Sequence, residues 1–563
     1  MQVLGLSGHF HDAAAALVVD GRVVAAAQEE RFSRIKHDAA TPLRAAAFCL
    51  RQGGLQPGDL DAVIWYEKPL RKLERVLLTA LRTWPWGATS FRRAARSMLG
   101  DKLWVRAQLA EHLKVDPSRI QFSAHHQSHA MGAWCCSPFD EAAVLCVDGV
   151  GEWTTTSLWR AGPGGLTPLA EQHFPHSLGL LYSVFTAFLG FEVNEGEYKL
   201  MGLSAFGQPT RLDDVARLVR RSGDGSFELD MAYFRFDRDP ERAWTPAFEA
   251  LFGPPRAPGG PIEARHQELA ASIQRLTEDL LLDLARALHA RTGLRHLCLA
   301  GGVALNAVAV GRLIREGPFD DVYVMPAAGD AGGALGAALV ASPGRCALST
   351  MALGEDLDLD ATRRFLDDCG IAYQTLPEDQ LTREVARRLA QGQVVGWMQG
   401  RGEYGPRALG QRSILCDPRD AASKDRLNAR VKHREPFRPF APSVLAERSS
   451  DLFELPAPRP GCPAPGAWTR RFMTSTVAAR DGRVPGAVHV DGTARVQEVH
   501  AADLPRYAGL IARFEEETGV PCLINTSFNL AGEPIVQAVA EGWATTTRGG
   551  LDALAIGPYL VAR

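Results

Sequence analysis

The sequence predicts an α/β protein whose N-terminal part contains two related halves. Two stretches share one order of elements: an apolar strand, a polar turn that contains glycine, and then a hairpin. The first stretch runs over residues 3–28 and the second over residues 142–166. Farther along, a helical pattern at 265–292 leads into an apolar strand at 297–300. The predicted fold class rests on this internal duplication and on the mixture of strands and helices.

The first half opens with strands that short turns separate. An apolar strand is expected at 3–6, and two more at 14–19 and 22–28, which a tight Asp20-Gly21 turn joins. Two related halves that face each other across a cleft are typical of actin-like folds, which bind phosphate groups. The sequence therefore predicts an actin-like N-terminal domain.

Length and composition indicate two principal domains. The chain has 563 residues, of which 46% are hydrophobic and 23% charged, which is enough for several sizeable cores. Residues 342–360 contain proline, glycine and acidic residues without a strong period, so we expect the domain boundary there. The predicted domains are 1–345 and 355–563, the second being an α/β domain.

Charge and cysteine content disfavour several functional classes. The formal net charge of −3 gives no reason to expect nucleic acid or a membrane as the main partner. The ten cysteines are scattered among apolar residues without a CxxC pair, as in a reducing compartment. The chain starts without a basic leader and has no apolar run of membrane-spanning length, so we expect a cytoplasmic protein.

Potential metal ligands lie on neighbouring predicted elements. His125 and His129 are four residues apart in a run that lacks proline, so a helix would place both imidazoles on one face. Asp148 ends the apolar strand that follows, and Asp330 lies in a glycine-containing turn after a later strand. Two imidazoles with carboxylates suit Fe, Zn or Mn. The alternative is that these histidines belong to the core or the surface, with His126 merely exposed.

A strand, two glycines and a helix meet after residue 300. Gly301 and Gly302 follow the strand directly, and a helix is expected to begin near Leu305, beside Asn306. Backbone N–H groups at such a helix start bind a phosphate or a ribose. A simple strand-to-helix turn uses glycines in the same way, so both interpretations stay open.

Cationic and polar side chains are concentrated in the predicted C-terminal domain. They stand beside glycine-rich turns after a strand at 394–398 rather than on a regular helix stripe. Because arginine binds phosphate through two parallel hydrogen bonds, the region suits a polyanionic small ligand, and the alternative is a solvated basic face. The candidates in this region are Arg401, Arg407, Arg412, Ser413, Lys432 and Arg438. A later strand presents four more polar side chains: Asn525, Thr526, Ser527 and Asn529.

Several long motifs, in a fixed order, resemble those of the ATP-dependent O-carbamoyltransferases of antibiotic and nodulation-factor biosynthesis, of the tobramycin, cephamycin and ansamitocin type. The motifs in the N-terminal part are HDAAAALVVDG, EERFSRIKH, HHQSH, VDGVGE, GEYKLMGL and AGGVALN. Those in the C-terminal part are GRGEYGPRALGQRS, KHREPFRPFAPS and NTSFNLAGEPIV. The likeness runs from end to end of the chain and is far more specific than one glycine-rich loop.

The resemblance implies a fold and a two-step reaction. The fold is an actin-like (ASKHA) domain with duplicated ribonuclease-H-like halves, followed by a domain similar to threonylcarbamoyl-adenylate synthase. The C-terminal domain would convert carbamoyl phosphate and ATP to carbamoyl adenylate. The N-terminal domain would then transfer the carbamoyl group to a hydroxyl of a secondary metabolite, such as a polyketide, a macrolide or the sugar of an antibiotic. A divalent metal, Fe(II), and Mg²⁺ for ATP are also implied, and a homodimer stays open.

The same resemblance assigns roles to residues. His11 matches the family's His-Asp dipeptide and would be the general base for the acceptor hydroxyl. A turn histidine bonded to backbone is the alternative, because a base is judged by geometry that the sequence does not give. The family's loop before this dipeptide can be longer, whereas here only residues 7–10 intervene. Lys199 would be a second catalytic residue, and the four candidate metal ligands would bind one ion. The residues expected to bind ATP or the adenylate in the N-terminal domain are Gly179, Glu195, Gly301, Gly302 and Asn306, beside the cationic and polar set of the C-terminal domain.

Three other functions stay open. An actin-like ATPase or kinase would use the glycine turns but would leave the Arg-rich domain without a role. A tRNA-type carbamoyl transferase is disfavoured by the near-neutral charge. A regulator that binds nucleotide without catalysis would not need His11 or the metal ligands.

Segment 70–104 is unusually rich in Arg, Leu and Trp. Its pattern predicts two helices broken at Pro85. The aromatic side chains either bind an apolar acceptor or pack onto the N-terminal domain, and the sequence does not decide between the two.

Overall fold

A computed structural model describes residues 1–239, 241–432 and 434–562, and these form two compact units. Unit one comprises Met1–His9, Ala16–Val23 and Gly54–Ala347, and unit two comprises Phe10–Ala15, Val24–Gly53 and Leu348–Arg563. Two early segments, Phe10–Ala15 and Val24–Gly53, therefore belong with the C-terminal part of the chain. The predicted boundaries at 345 and 355 stay a prediction.

Two five-stranded sheets in the N-terminal part have the same strand order. The strands of the first sheet are β1 (Gln2–Ser7), β2 (Ala14–Val19), β3 (Arg22–Gln28), β4 (Ala62–Trp65) and β5 (Ile120–Phe122). Those of the second are β6 (Ala142–Gly151), β7 (Thr154–Gly162), β8 (Gly165–His173), β11 (His296–Ala300) and β12 (Asp321–Val324). The orders are β3-β2-β1-β4-β5 and β8-β7-β6-β11-β12, and in each sheet the strands from the third position onward are parallel. The repeated order confirms the predicted duplication and the actin-like α/β class.

Local sequence explains these strands. Asp20 and Gly21 have φ values of 49° and 72°, as the two-residue turn between β2 and β3 requires. The six residues of β6 before Asp148 are all apolar and at most 1% exposed, as expected of the middle strand of a covered sheet. β6 thus delivers Asp148 at the end of a rigid, buried element.

The helices of unit one include both of those expected in segment 70–104. The first of the two ends at Thr83 and the second begins at Ala88, on either side of Pro85. The helices are α3 (Pro69–Thr83), α4 (Ala88–Ser97), α5 (Val105–Leu113), α6 (His125–Cys135), α7 (Leu178–Phe188), α8 (Glu197–Ser204), α9 (Leu212–Ala216), α10 (Pro246–Phe252), α11 (Ala264–Thr292), α12 (Ala307–Glu316) and α13 (Asp330–Ala341). A small antiparallel pair, β9 (Val219–Arg221) and β10 (Phe227–Leu229), completes the unit.

Unit two is built on an eight-stranded mixed sheet. Its strands are β13 (Gln374–Thr375), β14 (Val395–Met398), β15 (Arg412–Cys416), β16 (Ala441–Leu445), β20 (Gln497–Val499), β21 (Cys522–Ser527), β22 (Ala553–Ile556) and β23 (Tyr559–Ala562). The order is β13-β23-β22-β14-β15-β21-β16-β20. A smaller sheet contains β17 (Phe453–Glu454), β18 (Val477–Ala479) and β19 (Thr493–Ala494).

Helices and apolar side chains cover the large sheet of unit two. Trp397 and Phe514 are fully buried in one apolar cluster, and Ile414 and Phe528 are fully buried in another. The helices are α1 (Glu30–Ser33), α2 (Leu43–Gly53), α14 (Leu359–Asp368), α15 (Glu378–Ala390), α16 (Ala422–Leu427), α17 (Ser449–Leu452), α18 (Ala467–Arg471), α19 (Pro505–Thr518) and α20 (Val539–Arg548). None of the helices in the described part of the chain is both long and apolar enough to span a membrane.

Candidate functional site

The four candidate metal ligands converge in unit one. His125 and His129 lie one turn apart on α6, Asp148 lies near the end of β6, and Asp330 is the first residue of α13. One ligand atom from each of the four lies within 4.8 Å of every other. His125, His129 and Asp330 are buried, and the side chain of Asp148 is 13% exposed. We call this group the four-ligand cluster.

The spacing inside the four-ligand cluster fits a single metal ion. The Nε2 atoms of His125 and His129 are 3.1 Å apart, and Nε2 of His125 lies 3.1 Å from Oδ2 of Asp148. Oδ1 of Asp330 lies 3.7 Å and 3.8 Å from the two Nε2 atoms. Ligands about 2.0–2.1 Å from one ion, at octahedral or tetrahedral angles, would be separated by about 2.8–3.4 Å. Small movements would therefore complete the coordination, and the N₂O₂ donor set suits Fe, Zn or Mn.

Glycines allow the elements of the four-ligand cluster to approach one another. A Cβ atom on Gly336 of α13 would lie 1.8 Å from the backbone oxygen of Ser128 on α6, so only glycine lets these helices pack this closely. A Cβ atom on Gly151 would lie 1.9 Å from Cδ2 of His125. Gly179 in α7 would place a Cβ atom 2.7 Å from the backbone oxygen of Asp148. The positions of His125 and Asp148 thus require glycine, which has no side chain, at Gly151 and Gly179.

Neighbouring groups hold the ligands in orientation. The hydroxyl of Tyr66 donates to Oδ2 of Asp330 at 3.2 Å, and the backbone N–H of Gly302 donates to Oδ1 of Asp148 at 3.0 Å. Glu152 accepts the backbone N–H of His125 at 3.3 Å. Oriented ligands of this kind are typical of metal sites, where such contacts fix the ligand geometry.

Electrostatics in the four-ligand cluster favour one positive charge. Burial, followed by the charge on His125, lowers the pKa of His129 to about 3. Burial also opposes a charge on His125, but the hydrogen bond with Asp148 and the charges of Asp330 and Asp148 prevail and raise its pKa to about 9. The two carboxylates therefore stabilise a cation at the place where the imidazoles meet.

His126 is buried, which contradicts the interpretation that it is merely exposed. Its side chain is buried, at 3% exposure, and its Nδ1 lies 2.7 Å from Oγ of Ser157. On a helix, residues 125 and 126 point in directions about 100° apart, so His126 faces the sheet while His125 faces the cluster. The neighbouring histidine is a core residue.

His11 lies in unit two, in a network that the sequence interpretation did not include. Nδ1 of His11 lies 3.0 Å from Oδ2 of Asp12, and Nδ1 of His37 lies 2.8 Å from Oδ1 of the same carboxylate. Asp12 and His37 both have left-handed backbone, with φ values of 51° and 54°. Such conformations persist where surrounding contacts determine them, and they are common at functional sites. Glu30 completes the group by accepting the backbone N–H of His37 at 3.0 Å.

Lys432 is a buried cation beside two residues of the NTSFN motif. It is 5% exposed. Its Nζ donates to the backbone oxygen of Ser527 at 2.6 Å and to Oδ1 and the backbone oxygen of Asn529 at 2.8 Å and 2.9 Å. Ser527 Oγ in turn donates to Oδ1 of Asn529 at 2.6 Å. Three predicted site residues are therefore brought into one cluster.

Further cations surround Lys432. Burial first, and then the charges of Arg434, Arg438 and Lys36, lower the pKa of Lys432. Burial and the charge of Arg438 lower the pKa of Arg434 to about 9. Glu435 offers one carboxylate, 4.0 Å from the Arg438 guanidinium. Because each of these cations lowers the pKa of another, a bound anion would stabilise all of them. We call Lys36, Lys432, Arg434 and Arg438 the cationic cluster.

Comparison with known families agrees with both halves of the chain. The family model for the carbamoyltransferase N-terminus matches residues 2–339, and that for the carbamoyltransferase C-terminus matches residues 386–563. The chain belongs to the carbamoyltransferase family. The resemblance read from the sequence motifs is thereby confirmed.

Two relatives of this carbamoyltransferase match it over nearly its whole length. The uncharacterized protein sll1178 of Synechocystis sp. is 44% identical and covers 100% of this chain, while the chain covers 96% of that protein. The nodulation protein NolNO of Sinorhizobium fredii is 39% identical over 98% of this chain and 79% of its own length.

One solved structure resembles the chain weakly. Component A of the (R)-2-hydroxyglutaryl-CoA dehydratase of Acidaminococcus fermentans is 15% identical and covers 60% of this chain, with 97% of its own chain aligned and a TM-score of 0.34. The strand orders of the two N-terminal sheets describe the fold better than this comparison does.

In this carbamoyltransferase, two predicted anion-binding arginines contact backbone. Arg412 is 1% exposed, and its NH1 donates to three carbonyl oxygens at 2.9–3.1 Å. Arg401 donates to three carbonyl oxygens at 2.6–3.0 Å. These contacts indicate that both arginines hold the glycine-rich loop in shape, and their role in anion binding stays a prediction. The carbonyl groups belong to Gln399, Gly400 and Gln411 for Arg412, and to Val24, Leu353 and Gly354 for Arg401.

Other predicted residues of unit two lie on its strands or in its glycine-rich loop, and their binding of a ligand stays a prediction. Asn525 is 2% exposed, and its Nδ2 donates to three oxygens of neighbouring segments at 3.0–3.2 Å. Ser413 is fully buried on β15, where its Oγ accepts the N–H of Gly410. Thr526 and Arg407 are half-buried, the first on β21 and the second in the glycine-rich loop.

The predicted nucleotide-binding residues of unit one divide into two groups. Asn306 begins α12 by accepting the N–H of Ala309, and its amide pairs with Gln274 at 2.9 Å and 3.1 Å, so its polar atoms serve the fold. Gly301, at φ 87°, makes a turn that lets Gly302 reach Asp148. Their binding of nucleotide stays a prediction.

The remaining predicted residues of unit one lie at the start of α8. Lys199 is half-buried in its first turn, and Glu195 is half-buried just before the helix. Nucleotide binding by Glu195, nucleotide binding by Gly179 and a catalytic role for Lys199 stay predictions.

Several residues that contact the four-ligand cluster or His11 were not singled out from the sequence, among them Asp12, His37, Tyr66 and Glu152. Three of these four residues belong to the family motifs, which could have identified them. Asp12 follows His11 directly, and His37 ends EERFSRIKH. Tyr66 carries no local signal, because its contact with Asp330 joins residues 264 positions apart.

Proposed function

We propose that this protein is an ATP-dependent O-carbamoyltransferase that passes through carbamoyl adenylate. In unit two, water would cleave carbamoyl phosphate to carbamate and phosphate. Carbamate oxygen would then attack the α-phosphorus of ATP, forming carbamoyl adenylate and releasing pyrophosphate. Membership of the carbamoyltransferase family supports the transfer of a carbamoyl group, and the ATP-dependent route is the part that needs a test.

The cationic cluster carries this proposal. Carbamoyl phosphate and ATP bring many negative charges together. Burial, and then neighbouring cations that include Arg438, lower the pKa of both Lys432 and Arg434. Such a group is stabilised by an anion, and it stabilises charge that develops on phosphoryl oxygens during the reaction. ATP would bind here with Mg²⁺.

In the transfer step, the acceptor hydroxyl oxygen forms a bond to the carbamoyl carbon. The bond from that carbon to the adenylate oxygen breaks, AMP leaves with the electron pair, and the hydroxyl proton passes to a base. We assign this base to His11, with Nδ1 held by Asp12 so that Nε2 takes the proton. Asp12 remains a carboxylate near neutral pH because, against the effect of its burial, His11 and His37 hold its pKa well below its usual value.

The four-ligand cluster would hold one divalent metal ion, Fe(II) in this proposal, and this ion would supply positive charge to offset the adenylate phosphate and polarise the carbonyl. His125, His129, Asp148 and Asp330 would be its ligands. Tyr66 and Gly302 would keep the two carboxylates in position through their hydrogen bonds.

The acceptor in this proposal is a hydroxyl of a secondary metabolite, so the protein would tailor an antibiotic or a related natural product. A polyketide, a macrolide and a sugar all offer such hydroxyls. Labelled carbamoyl phosphate, ATP and metabolite extracts of the producing organism would identify the acceptor by its new label.

The decisive experiment needs no acceptor. Pyrophosphate release from ATP is measured with purified protein, with and without carbamoyl phosphate. We expect release only when both substrates are present. Lys432→Met should abolish release and Lys432→Arg should keep part of it, whereas Lys114→Met, at an exposed lysine of unit one, should behave as wild type. Release of phosphate from ATP at the same rate without carbamoyl phosphate would instead support an actin-like ATPase.

A further inference from the structure

The exposed apolar side chains of this protein are concentrated in one short segment. Among the described residues, sixteen large apolar side chains are exposed, and eight of them lie in residues 70–104. Isolated exposed apolar residues are normal, but a contiguous group marks a surface that binds something. The eight are Leu70, Leu77, Leu78, Leu81, Trp84, Trp86, Leu99 and Trp104.

The helix α3 presents its apolar stripe to solvent. Leu70, Leu77 and Leu81 are spaced by seven and four residues, so they share one face of the helix. Their exposed fractions are 74%, 43% and 75%. Trp84 and Trp86 continue the stripe after the end of the helix, with 68% and 76% exposed. Only Pro69 of α3 is buried, while Leu73, Val76 and Ala80 are half-buried, so the helix exposes more apolar surface than an amphipathic helix on a protein core does.

The same surface is strongly cationic. Residues 68–104 contain nine Lys or Arg and two Asp or Glu. Five of the nine cations are exposed, namely Arg71, Arg82, Arg92, Arg93 and Arg96, whereas Lys72 pairs with the buried Glu67. On α4, Arg92 and Arg96 lie one turn apart and are exposed. Neither has an ion-pair partner among the described residues, and neither do the exposed Arg71 and Arg82 of α3. We call residues 68–104 the basic apolar surface.

We propose that the basic apolar surface binds unit one to an anionic lipid bilayer. Leucine and tryptophan on one face, with arginine beside them, is the composition of helices that lie in a membrane interface. The leucines of α3 would enter the boundary between headgroups and acyl chains, and Trp84 and Trp86 would sit at headgroup level. The arginines would meet the negative charge of phosphatidylglycerol or a similar lipid. This departs from the expectation, based on net charge, that no membrane is involved.

Other partners match the surface less well. A second copy of the chain would bring two sets of exposed arginines together, which is repulsive. A small apolar acceptor needs a concave site that buries most of its surface, whereas the side chains of α3 stand on the outside of a helix. A nucleic acid would satisfy the arginines but not the row of leucines.

The test is binding of the full-length protein to lipid vesicles, measured by flotation. We expect binding to vesicles of phosphatidylcholine with about 30 mol% phosphatidylglycerol, and about tenfold weaker binding to phosphatidylcholine alone. Binding should also weaken at about 0.5 M salt, because screening removes the charge contribution. Brominated lipids should quench tryptophan fluorescence, and a Trp84→Phe, Trp86→Phe double variant should lose that quenching while it still binds.

Two double variants address the two components separately. Leu77→Ser with Leu81→Ser removes apolar contact, and Arg92→Glu with Arg96→Glu reverses charge; each should weaken binding by about tenfold or more. Matched controls change an exposed valine or arginine elsewhere, as Val490→Ser and Arg217→Glu, and should bind as wild type. All these residues are exposed, so the variants should fold and should release pyrophosphate normally.

Several results would overturn the proposal. Equal binding to neutral and anionic vesicles, or no vesicle binding, would exclude an anionic bilayer as the partner. If the protein were a dimer and the Leu77→Ser, Leu81→Ser variant were a monomer, the surface would be assigned to a second copy of the chain. If the protein did not bind vesicles but bound tRNA, and if the Arg92→Glu, Arg96→Glu variant lost that tRNA binding, the surface would be assigned to nucleic acid.

Discussion

The Nδ1 atom of His37 lies 2.8 Å from Oδ1 of Asp12. The other oxygen of this carboxylate lies 3.0 Å from Nδ1 of His11, so one carboxylate orients two imidazoles. Nucleophile activation by a histidine depends on a carboxylate that fixes the ring and its tautomer. His11 thus has the partner that a general base requires.

Asp12→Asn should separate the two half-reactions. Asparagine can donate an amide N–H to Nδ1 of His11, which selects the wrong tautomer of the ring. It also cannot stabilise the imidazolium, so we expect the rate of carbamoyl transfer to fall by about 10²–10⁴-fold. Pyrophosphate release should stay near the wild-type rate, because carbamate and ATP react without this base. Transfer is measured with carbamoyl adenylate supplied to a panel of hydroxyl acceptors. Normal transfer by Asp12→Asn would remove Asp12 from the role of orienting the base.

Loss of either imidazole of the four-ligand cluster should remove metal. His125→Ala and His129→Ala each leave at most three ligands, so metal content measured by elemental mass spectrometry should fall well below that of the wild type. His126→Gln is the matched control, because His126 lies next to His125 in the chain and contacts Ser157 instead of the cluster. If both alanine variants kept full metal content, the ion would lie elsewhere.

Anion binding at Lys432 should weaken as pH rises. Burial and the neighbouring cations lower the pKa of Lys432, so it loses its charge at a lower pH than an ordinary lysine does. The affinity for pyrophosphate, measured by calorimetry between about pH 7 and pH 9.5, should therefore fall with rising pH. Lys432→Met has no charge to lose at this position, so its affinity should be weaker and should change less with pH. A wild-type affinity that does not depend on pH would show that Lys432 does not contact the anion.

Local patterns predicted most of the N-terminal fold. Strands β1, β2 and β3, the turn at Asp20 and Gly21, and the two helices around Pro85 all follow from apolar runs and from the residues that end them. These signals are local, because turn residues and side-chain periodicity act over a few positions.

The four-ligand cluster shows which part of the site is harder to predict. The His125 and His129 spacing is a helical signal, and the acids at strand and turn ends were recognisable. Tyr66 was not, because its contact with Asp330 depends on how a strand and a helix pack. The arginines show the opposite problem. Composition cannot separate an arginine that binds a ligand from one that binds carbonyl groups. Arg412 donates to carbonyl groups here, and its binding of an anion stays a prediction.

Arg412→Ala should destabilise unit two. Burial lowers the pKa of Arg412 to about 10, and its NH1 serves three backbone carbonyls. Their loss leaves buried acceptors without a donor, which costs about 1–3 kcal/mol each where water does not enter. We expect a lower denaturation midpoint for Arg412→Ala in chemical denaturation, while Arg438→Ala, a half-buried member of the cationic cluster, should remain near wild type. If Arg412→Ala were as stable as the wild type but released no pyrophosphate, the result would instead support direct binding of the anion by Arg412.

Gly151→Ala should displace a metal ligand without changing any polar group. The added Cβ would lie 1.9 Å from Cδ2 of His125, far inside van der Waals contact, so the imidazole would have to leave its position beside Asp148. We expect metal affinity to fall at least about tenfold, as it does when ligand orientation is lost. Gly149→Ala is the control two residues earlier, because its Cβ would meet only Leu180, at 4.0 Å. Metal titration of both variants, followed by calorimetry, decides the matter: equal affinities would mean that His125 does not bind the ion from the position it holds here.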